Sequence, residues 1–187
     1  MSQTPAGERI GGVDKTGIRH LYVAADHNFF GHHGRPPGRH PIMEVPAVEC
    51  IAGRGLRGDR FIDYKENYKG QITFFAWETY EAICAHFSVR DRSPSVFRRN
   101  VITTGVDLNT LIGREFEIQG VQFRGTEECR PCHWMDQAFA DGAEDYLKGR
   151  GGLRAVILTP GFLRVSGPEA LAQCSGRPVR SSTQSQK

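Results

Sequence analysis

Short runs of β-branched and aromatic residues, most of them ended by glycine or proline, recur along almost the whole chain and limit it to a strand-rich fold. Such runs are too short for amphipathic helices and have the composition that packs well on a pleated sheet. Gly120 separates two of them as a tight hairpin turn, and Pro160-Gly161 separates the last two as a final hairpin. The predicted strands cover residues 18–25, 42–52, 71–76, 101–104, 115–119, 121–125, 154–159 and 162–165.

Two segments have helical periodicity instead. In residues 78–87, Tyr80, Ile83 and Phe87 recur at the spacing of one helix face, and a second helix is predicted over residues 135–148. Many short strands with only two helices favour a mainly β fold, a β-barrel with a few peripheral helices.

The composition points to one globular domain. Of the 187 residues 39% are hydrophobic, and we predict a single domain over residues 18–172 between disordered tails at 1–17 and 173–187. No apolar run approaches the roughly 18 residues of a membrane span, and no leader pattern opens the chain, so we expect a cytoplasmic protein without a membrane partner. The net charge of +3 resides in the segment 173–187, so we expect no nucleic-acid partner.

A long loop at residues 26–41 holds four of the seven histidines, namely His27, His32, His33 and His40. Their spacing matches no usual zinc pattern. We therefore predict a flexible loop over the mouth of a site, and leave metal binding as the less favoured alternative.

Residues 53–58 spell G-x-G-x-x-G after a predicted strand. A dinucleotide site also needs a helix directly after the glycines, and residues 59–64 have no helical stripe, so we reject that site. The turn could instead present backbone N–H groups and the guanidinium groups of Arg54, Arg57 and Arg60 to an anion. The alternative is a tight turn with solvated arginines, in which Asp59 caps the turn.

The segment Cys129-Arg130-Pro131-Cys132-His133 is compatible with four chemistries. C-x-x-C-H is the attachment pattern of c-type haem, which belongs to exported proteins. A zinc site needs two more ligands at matching spacing, and a dithiol redox site usually opens the first helix of a βαβ unit. The fourth is a single active thiolate, Cys132, with Arg130 near enough to favour its ionised form. Five cysteines, an odd number, argue against a disulfide framework.

Five ordered blocks resemble the MOSC family, named for the C-terminal domain of molybdenum cofactor sulfurases. They are GRGLRGDRF (53–61), QITFF (71–75), FRRNVITTGVDLNTLIG (97–113), FEIQGVQFRGTEECRPC (116–132) and GRGGLRAVILTPG (149–161). The resemblance runs over residues 18–165, nearly the whole predicted domain. The chain is similar to small stand-alone bacterial-type members, which lack the pyridoxal-phosphate domain of the sulfurase.

The resemblance implies a β-barrel of the type also found in a pyruvate kinase domain. It implies that the second cysteine of the C-x-x-C block, Cys132, ligates molybdenum or carries sulfur as a persulfide. The R-x-N element of the family corresponds to Arg98 and Asn100, which would reach the pterin phosphate, while Arg99 is expected on the other side. The G-x-x-G-D-R block places three further residues near the same mouth: Arg57, Asp59 and Arg60.

From this resemblance we expect a molybdenum–pterin cofactor, held by a protein that either reduces N-hydroxylated compounds or carries sulfur. The chemistry is coherent, because molybdenum is thiophilic and a phosphate suits arginine side chains. A reductase would need an external electron donor, since no ferredoxin-like cysteine set is present, and a carrier would need a sulfur donor protein. The alternative is a metal-free thiol or binding protein on the same barrel.

Overall fold

The structure, a computed structural model, describes residues 16–28 and 36–168, and in these residues it is mainly β, as predicted. The strands are β1 (Gly17–Val23), β2 (Met43–Glu44), β3 (Ala47–Ile51), β4 (Gly55–Leu56), β5 (Ile72–Ala76), β6 (Val101–Thr104), β7 (Glu115–Ile118), β8 (Val121–Glu128), β9 (Leu153–Ile157) and β10 (Gly161–Arg164). The α-helices are α1 (Trp77–His86), α2 (Trp134–Ala138) and α3 (Ala143–Leu147), and 3₁₀ turns cover Pro94–Phe97 and Leu108–Leu111. His32, His33 and all but residues 16 and 17 of the two predicted tails lie outside the described residues.

The larger sheet has seven strands in the order β2-β1-β6-β5-β9-β8-β7. β5 and β6 are parallel, with Phe74 opposite Val101, and the other neighbours are antiparallel. The predicted hairpin turn is present between β7 and β8, where Gln119 and Gly120 both have positive φ angles. Two successive positive φ angles are the requirement of a type I′ turn, which matches the twist of the two strands.

The smaller sheet has the order β10-β3-β4, and this pairing corrects the predicted final hairpin. β9 and β10 follow one another in sequence but belong to different sheets, because β10 pairs with β3 and places Leu163 opposite Val48. The predicted strand over residues 42–52 is likewise divided into β2 and β3. Pro46, which has no N–H to donate, lies at the break.

The prediction of a closed barrel is wrong for the residues described: neither sheet closes on itself, since β2 and β7 are the edges of the larger sheet and β10 and β4 those of the smaller. The sheets meet instead through single backbone bonds, from Gly53 N–H to Ile157 O (2.9 Å) and from Ser166 N–H to Ile18 O (2.8 Å). Neither bond belongs to a ladder, since Gly53 lies in the turn between β3 and β4 and Ser166 follows β10.

Two apolar clusters cover the two faces of the larger sheet. The first lies between the two sheets and contains Phe74 and Val101, while the second lies under the helices and contains Phe75 and Ile102. Neighbouring residues of a strand alternate between the faces, so both sides of β5 and β6 are buried. The helix predicted over residues 135–148 is two helices, divided before Gly142, whose φ of +89° does not continue a right-handed helix.

None of the helices in the described part of the chain has both the length and the apolar character needed to cross a bilayer.

Candidate functional site

The C-x-x-C segment connects the end of β8 to the start of α2 and is held rigidly at its first cysteine. Cys129 is buried, and its N–H donates to Gly152 O at 2.7 Å. Its carbonyl accepts from Nη2 of the buried Arg99 at 2.8 Å. Gly151 packs so closely here that a Cβ atom would lie 2.6 Å from the same carbonyl oxygen. Cys132, three residues further on, is exposed.

Arg99 fixes this segment to the rest of the fold. Besides the Cys129 carbonyl, its guanidinium group donates to Gly151 O (3.0 Å) and to Phe97 O (2.7 Å). All three acceptors are backbone oxygens, so Arg99 ties the C-x-x-C segment, the loop before β9 and the 3₁₀ turn together. Arg99 was expected on the other side from Arg98; the two residues both line one pocket, but the guanidinium group of Arg99 is engaged by these three backbone oxygens.

That pocket has a volume of about 240 Å³ and brings together three segments that are distant in sequence. The glycine-rich turn contributes Arg60, the 3₁₀ turn contributes Arg98, and the C-x-x-C segment contributes Cys129 and Cys132. Its described lining includes no acidic residue, but it includes five arginines: Arg60, Arg98, Arg99, Arg130 and Arg154. We call this cavity the arginine pocket.

Asp59 is buried beside the arginine pocket and organises the turn that carries Arg60. Its carboxylate accepts hydrogen bonds from Ala24 N–H (3.2 Å) and Phe61 N–H (3.1 Å), and it pairs with Arg60 Nη1 at 3.3 Å. No helix follows this glycine-rich turn, in agreement with the rejection of a dinucleotide site. Asp59 therefore holds the turn in shape and Arg60 in place.

Asn100 is also buried and does not line the arginine pocket. Its Oδ1 accepts from the N–H (3.1 Å) and Oγ1 (2.8 Å) of Thr73, and its Nδ2 donates to Tyr22 O (3.2 Å) and Asp59 Oδ2 (3.1 Å). The amide thus joins β1, β5 and the glycine-rich turn. Arg57 lies outside the pocket as well, on the surface, where it pairs with Glu49.

Two of the positive charges in the arginine pocket, those of Arg60 and Arg98, lie close to each other and are partly buried. Burial, followed by the like charge of Arg60, lowers the pKa of Arg98 to about 10. Burial, opposed by Asp59 and reinforced by Arg99, also lowers the pKa of Arg60. Burial alone would lower the pKa of Arg154 too, but its neighbours, among them Tyr68, outweigh that effect and raise it. A guanidinium pKa falls only where the folded protein disfavours the cation, so an anion in this pocket would relieve an existing cost.

Aromatic rings form one wall of the arginine pocket. Phe61 and Tyr68 stack at 5.3 Å between ring centroids, and the guanidinium of Arg60 lies 4.8 Å from the centre of the Phe61 ring. Arg154 Nη1 donates to the Tyr68 hydroxyl at 3.3 Å. Gly70 leaves room for this pair, because a Cβ atom there would lie 3.2 Å from both side chains.

Sequence reasoning missed Arg154 and Tyr68. The signal available for Arg154 was its isolated charge within the otherwise apolar strand L-R-A-V-I. Tyr68 gave no comparable signal, because its place depends on the turns of residues 57–70.

A second cavity adjoins the arginine pocket. It has a volume of about 430 Å³ and shares Arg98 and Trp134 with it. Its other described walls come from the 3₁₀ turn, from α2 and from residues at the two ends of the loop at 26–41, including Asn28 and His40. The Asn28 side chain clamps that loop, since Nδ2 donates to His40 O (2.7 Å) and Oδ1 accepts from His40 N–H (2.8 Å). We call this cavity the loop pocket.

Among the described residues, the potential metal ligands that lie within 4.8 Å of one another are His133, Asp136 and Glu144. This group includes neither cysteine of the C-x-x-C segment. It therefore gives no support to a zinc site formed by Cys129, Cys132 and His133.

The MOSC domain matches residues 32–168. This match covers well over half of the chain. The chain belongs to the MOSC domain family. No curated protein matches the sequence.

Solved structures show the same fold at low identity. The YuaD protein from Bacillus subtilis has a TM-score of 0.59 and 17% identity, over 80% of this chain and 92% of that one. YiiM from Geobacillus stearothermophilus has a TM-score of 0.58 and 12% identity, over 82% and 73%. YiiM from Escherichia coli has a TM-score of 0.53 and 16% identity, over 86% and 80%. At these identities the similarity establishes the fold alone.

Proposed function

We propose that this MOSC protein binds a molybdenum–pterin cofactor in the arginine pocket, with the thiolate of Cys132 as a ligand of the metal. One observation carries the proposal: the described lining of the pocket combines an exposed thiol with five arginines and no acidic residue. The MOSC family is associated with this cofactor. The residues present also fit the chemistry of both ends of the cofactor, its phosphate and its metal.

The phosphate end of such a cofactor suits Arg60 and Arg98. Guanidinium groups donate paired hydrogen bonds to phosphate oxygens, and charge-assisted bonds of this kind are the stronger ones. Both groups already line the pocket with a lowered pKa, so a bound dianion would restore favourable surroundings to them. Asp59 and Asn100 would act indirectly, by holding the turn that carries Arg60 in place.

The metal end suits Cys132. Thiolate is a soft ligand of the type that molybdenum prefers, and bound molybdenum would supply redox and oxygen-transfer chemistry that side chains lack. The chain's part is to present the thiol at a fixed position, which the Arg99 anchor on Cys129 provides. The reaction that we propose is reduction of N-hydroxylated compounds, with electrons from an external donor protein.

A second function is favoured by the exposure of Cys132, which leaves its thiol accessible to another protein. In this function the chain carries sulfur. A donor persulfide, R–S–SH, reacts with the Cys132 thiol to give Cys132–S–SH and the donor thiol, R–SH, so atoms and electrons balance. Neither function uses Cys129 as the reacting sulfur, because that residue is buried.

The test is the content of the protein purified from a host that makes the cofactor. Molybdenum is measured by mass spectrometry, pterin by fluorescence after oxidation, and sulfane sulfur by cyanolysis. We expect molybdenum and pterin in equal amounts in the wild type and loss of molybdenum in Cys132→Ser. Cys84→Ser, a half-buried cysteine outside the pocket, is the matched control and should retain both.

Sulfane sulfur without molybdenum would support the carrier function instead. Equal loss in Cys129→Ser and Cys132→Ser would indicate a dithiol pair. Unchanged contents in Cys132→Ser would remove Cys132 from the site.

A further inference from the structure

The loop pocket differs from the arginine pocket in chemistry, although the two share a wall. Its volume of about 430 Å³ lies within the usual range of small-molecule sites, roughly 300–1,000 Å³. Ile42, Val96 and Ala138 line the loop pocket, and none of the five arginines except Arg98 does.

Three of the described polar side chains in the loop pocket, those of Asn28, Ser95 and His40, are engaged with the protein itself. Both ends of the Asn28 amide bond the backbone of His40, and the Ser95 hydroxyl donates to Ser93 Oγ at 3.0 Å. His40 Nε2 lies 3.3 Å from the carboxylate of Asp26. A ligand body in this pocket would therefore gain mainly from burial of its apolar surface, and a charged body would lose hydration without replacement.

Among the described residues that line the loop pocket, Arg98 is the one that carries a guanidinium group. It stands between the two pockets with Trp134, at the C-terminal end of the 3₁₀ turn, and holds a left-handed φ of +56°. A non-glycine residue in this conformation is strained, and such strain concentrates at binding sites.

We infer that the loop pocket binds the substrate, and that this substrate is an organic anion with an aromatic or aliphatic body, which packs against Ile42, Val96 and Ala138. Because Arg98 lines both pockets and has five N–H donors, it would bind the substrate's charged group on the side of the loop pocket, and with Arg60 the cofactor phosphate on the side of the arginine pocket. The inference rests on the proposed function for the site of reaction, which lies beyond Arg98 at Cys132. It adds the substrate class, which neither the fold nor the cofactor determines. Trp134, shared by both pockets, would contact the ligand where the two cavities meet.

The experiment uses anilinonaphthalene sulfonate, a fluorescent aromatic anion, and its uncharged relative N-phenylnaphthylamine as probes of the full-length protein. We expect the sulfonate to bind the wild type and the uncharged probe to bind about tenfold or more weakly, the scale of a charge-assisted hydrogen bond. Arg98→Ala should reduce the affinity for the sulfonate to that of the uncharged probe.

Two substitutions fill the loop pocket, Val96→Trp and Ala138→Trp, so the test survives if one of them fails to fold. Each should abolish binding of both probes. Val106→Trp is the matched control, because Val106 lines a separate cavity of about 350 Å³ beside α1. That variant should bind both probes as the wild type does.

The outcomes separate this inference from the proposed function. Unchanged sulfonate binding in both filled variants, or equal binding of the two probes by the wild type, overturns the inference. Loss of molybdenum and pterin from the folded filled variants also overturns it, because the loop pocket would then belong to the cofactor. Absence of molybdenum from the wild type together with the expected probe pattern overturns the proposed function and supports the ligand class.

Discussion

Replacing Asn100 with alanine removes four hydrogen bonds from the buried junction of β1, β5 and the glycine-rich turn. A typical buried hydrogen bond contributes a net 0.5 to 1.5 kcal/mol, and its loss costs more where a partner is left unsatisfied. We therefore expect Asn100→Ala to lower the free energy of unfolding by about 2 to 4 kcal/mol. For a chain of this size each kcal/mol shifts the melting temperature by about 2 to 4 °C, so the expected drop is roughly 10 °C.

The assay is thermal unfolding followed by circular dichroism, with cofactor content measured on the same preparations. Asn109→Ala is the matched control: Asn109 is exposed, its side chain donates to Gly149 O at 2.8 Å, and we expect a loss of less than about 1 kcal/mol. If Asn100→Ala melts with the wild type yet loses the cofactor, Asn100 acts directly on the ligand, and the structural role argued here is refuted.

The remaining predictions concern backbone fit, alkaline stability and anion binding. Gly152→Ala should fail to fold or melt far below the wild type, because its Cβ atom would lie 2.1 Å from a backbone oxygen of β5. Gly53→Ala is the control: it has open space around it, and its free energy of unfolding should fall by only about 1 kcal/mol. Similar melting temperatures for the two variants would contradict this prediction. Burial raises the pKa of Cys50 from 9.0 to about 12, so above pH 9 the unfolded chain loses this proton first and stability falls with pH. The free energy of unfolding is measured by urea titration at a series of pH values above 9. For Cys50→Val it should fall with pH less steeply than for the wild type, by about 1 kcal/mol per pH unit, and the same slope in both proteins would contradict this prediction. Inorganic phosphate should raise the melting temperature of the wild type but not of Arg98→Met, and an equal rise in both would remove Arg98 from the anion site.

Strand positions were predictable because they depend on local pattern. β6 has the predicted bounds, residues 101–104, and β5 and β7 differ from prediction by one residue each. Pairing was less predictable, because it depends on contacts distant in sequence. β9 and β10 look like a hairpin around Pro160-Gly161, yet β10 gains its partner from β3, more than a hundred residues earlier.

The candidate site was predictable only in part, because its residue types are visible in local motifs but their burial depends on contacts distant in sequence. Arg60, Arg98 and Cys132 belong to blocks that the sequence displays plainly, and the structure places them around one pocket. Burial could not be read from those blocks. Arg98 and Asn100 are two residues apart, yet the first lines two cavities and the second is buried, with hydrogen bonds to backbone and side-chain groups of three segments. A sequence motif gives the identity and spacing of its residues. Whether a side chain of this motif lines a cavity or is buried depends on the backbone path between the 3₁₀ turn and β6, which the motif does not show.

The arginine pocket is better explained by a ligand than by folding. Apolar side chains of similar size usually stabilise a buried position as well as charged ones do, or better. Here Arg60 and Arg98 are partly buried beside each other, and the folded protein disfavours both charges. The buried carboxylate of Asp59 pairs with Arg60, but it also accepts bonds from two backbone N–H groups and from Asn100. A bound anion would neutralise the excess charge, and its binding free energy would add to the stability of the fold. Under the proposed function, the same positive charge that destabilises the fold would select an anionic ligand.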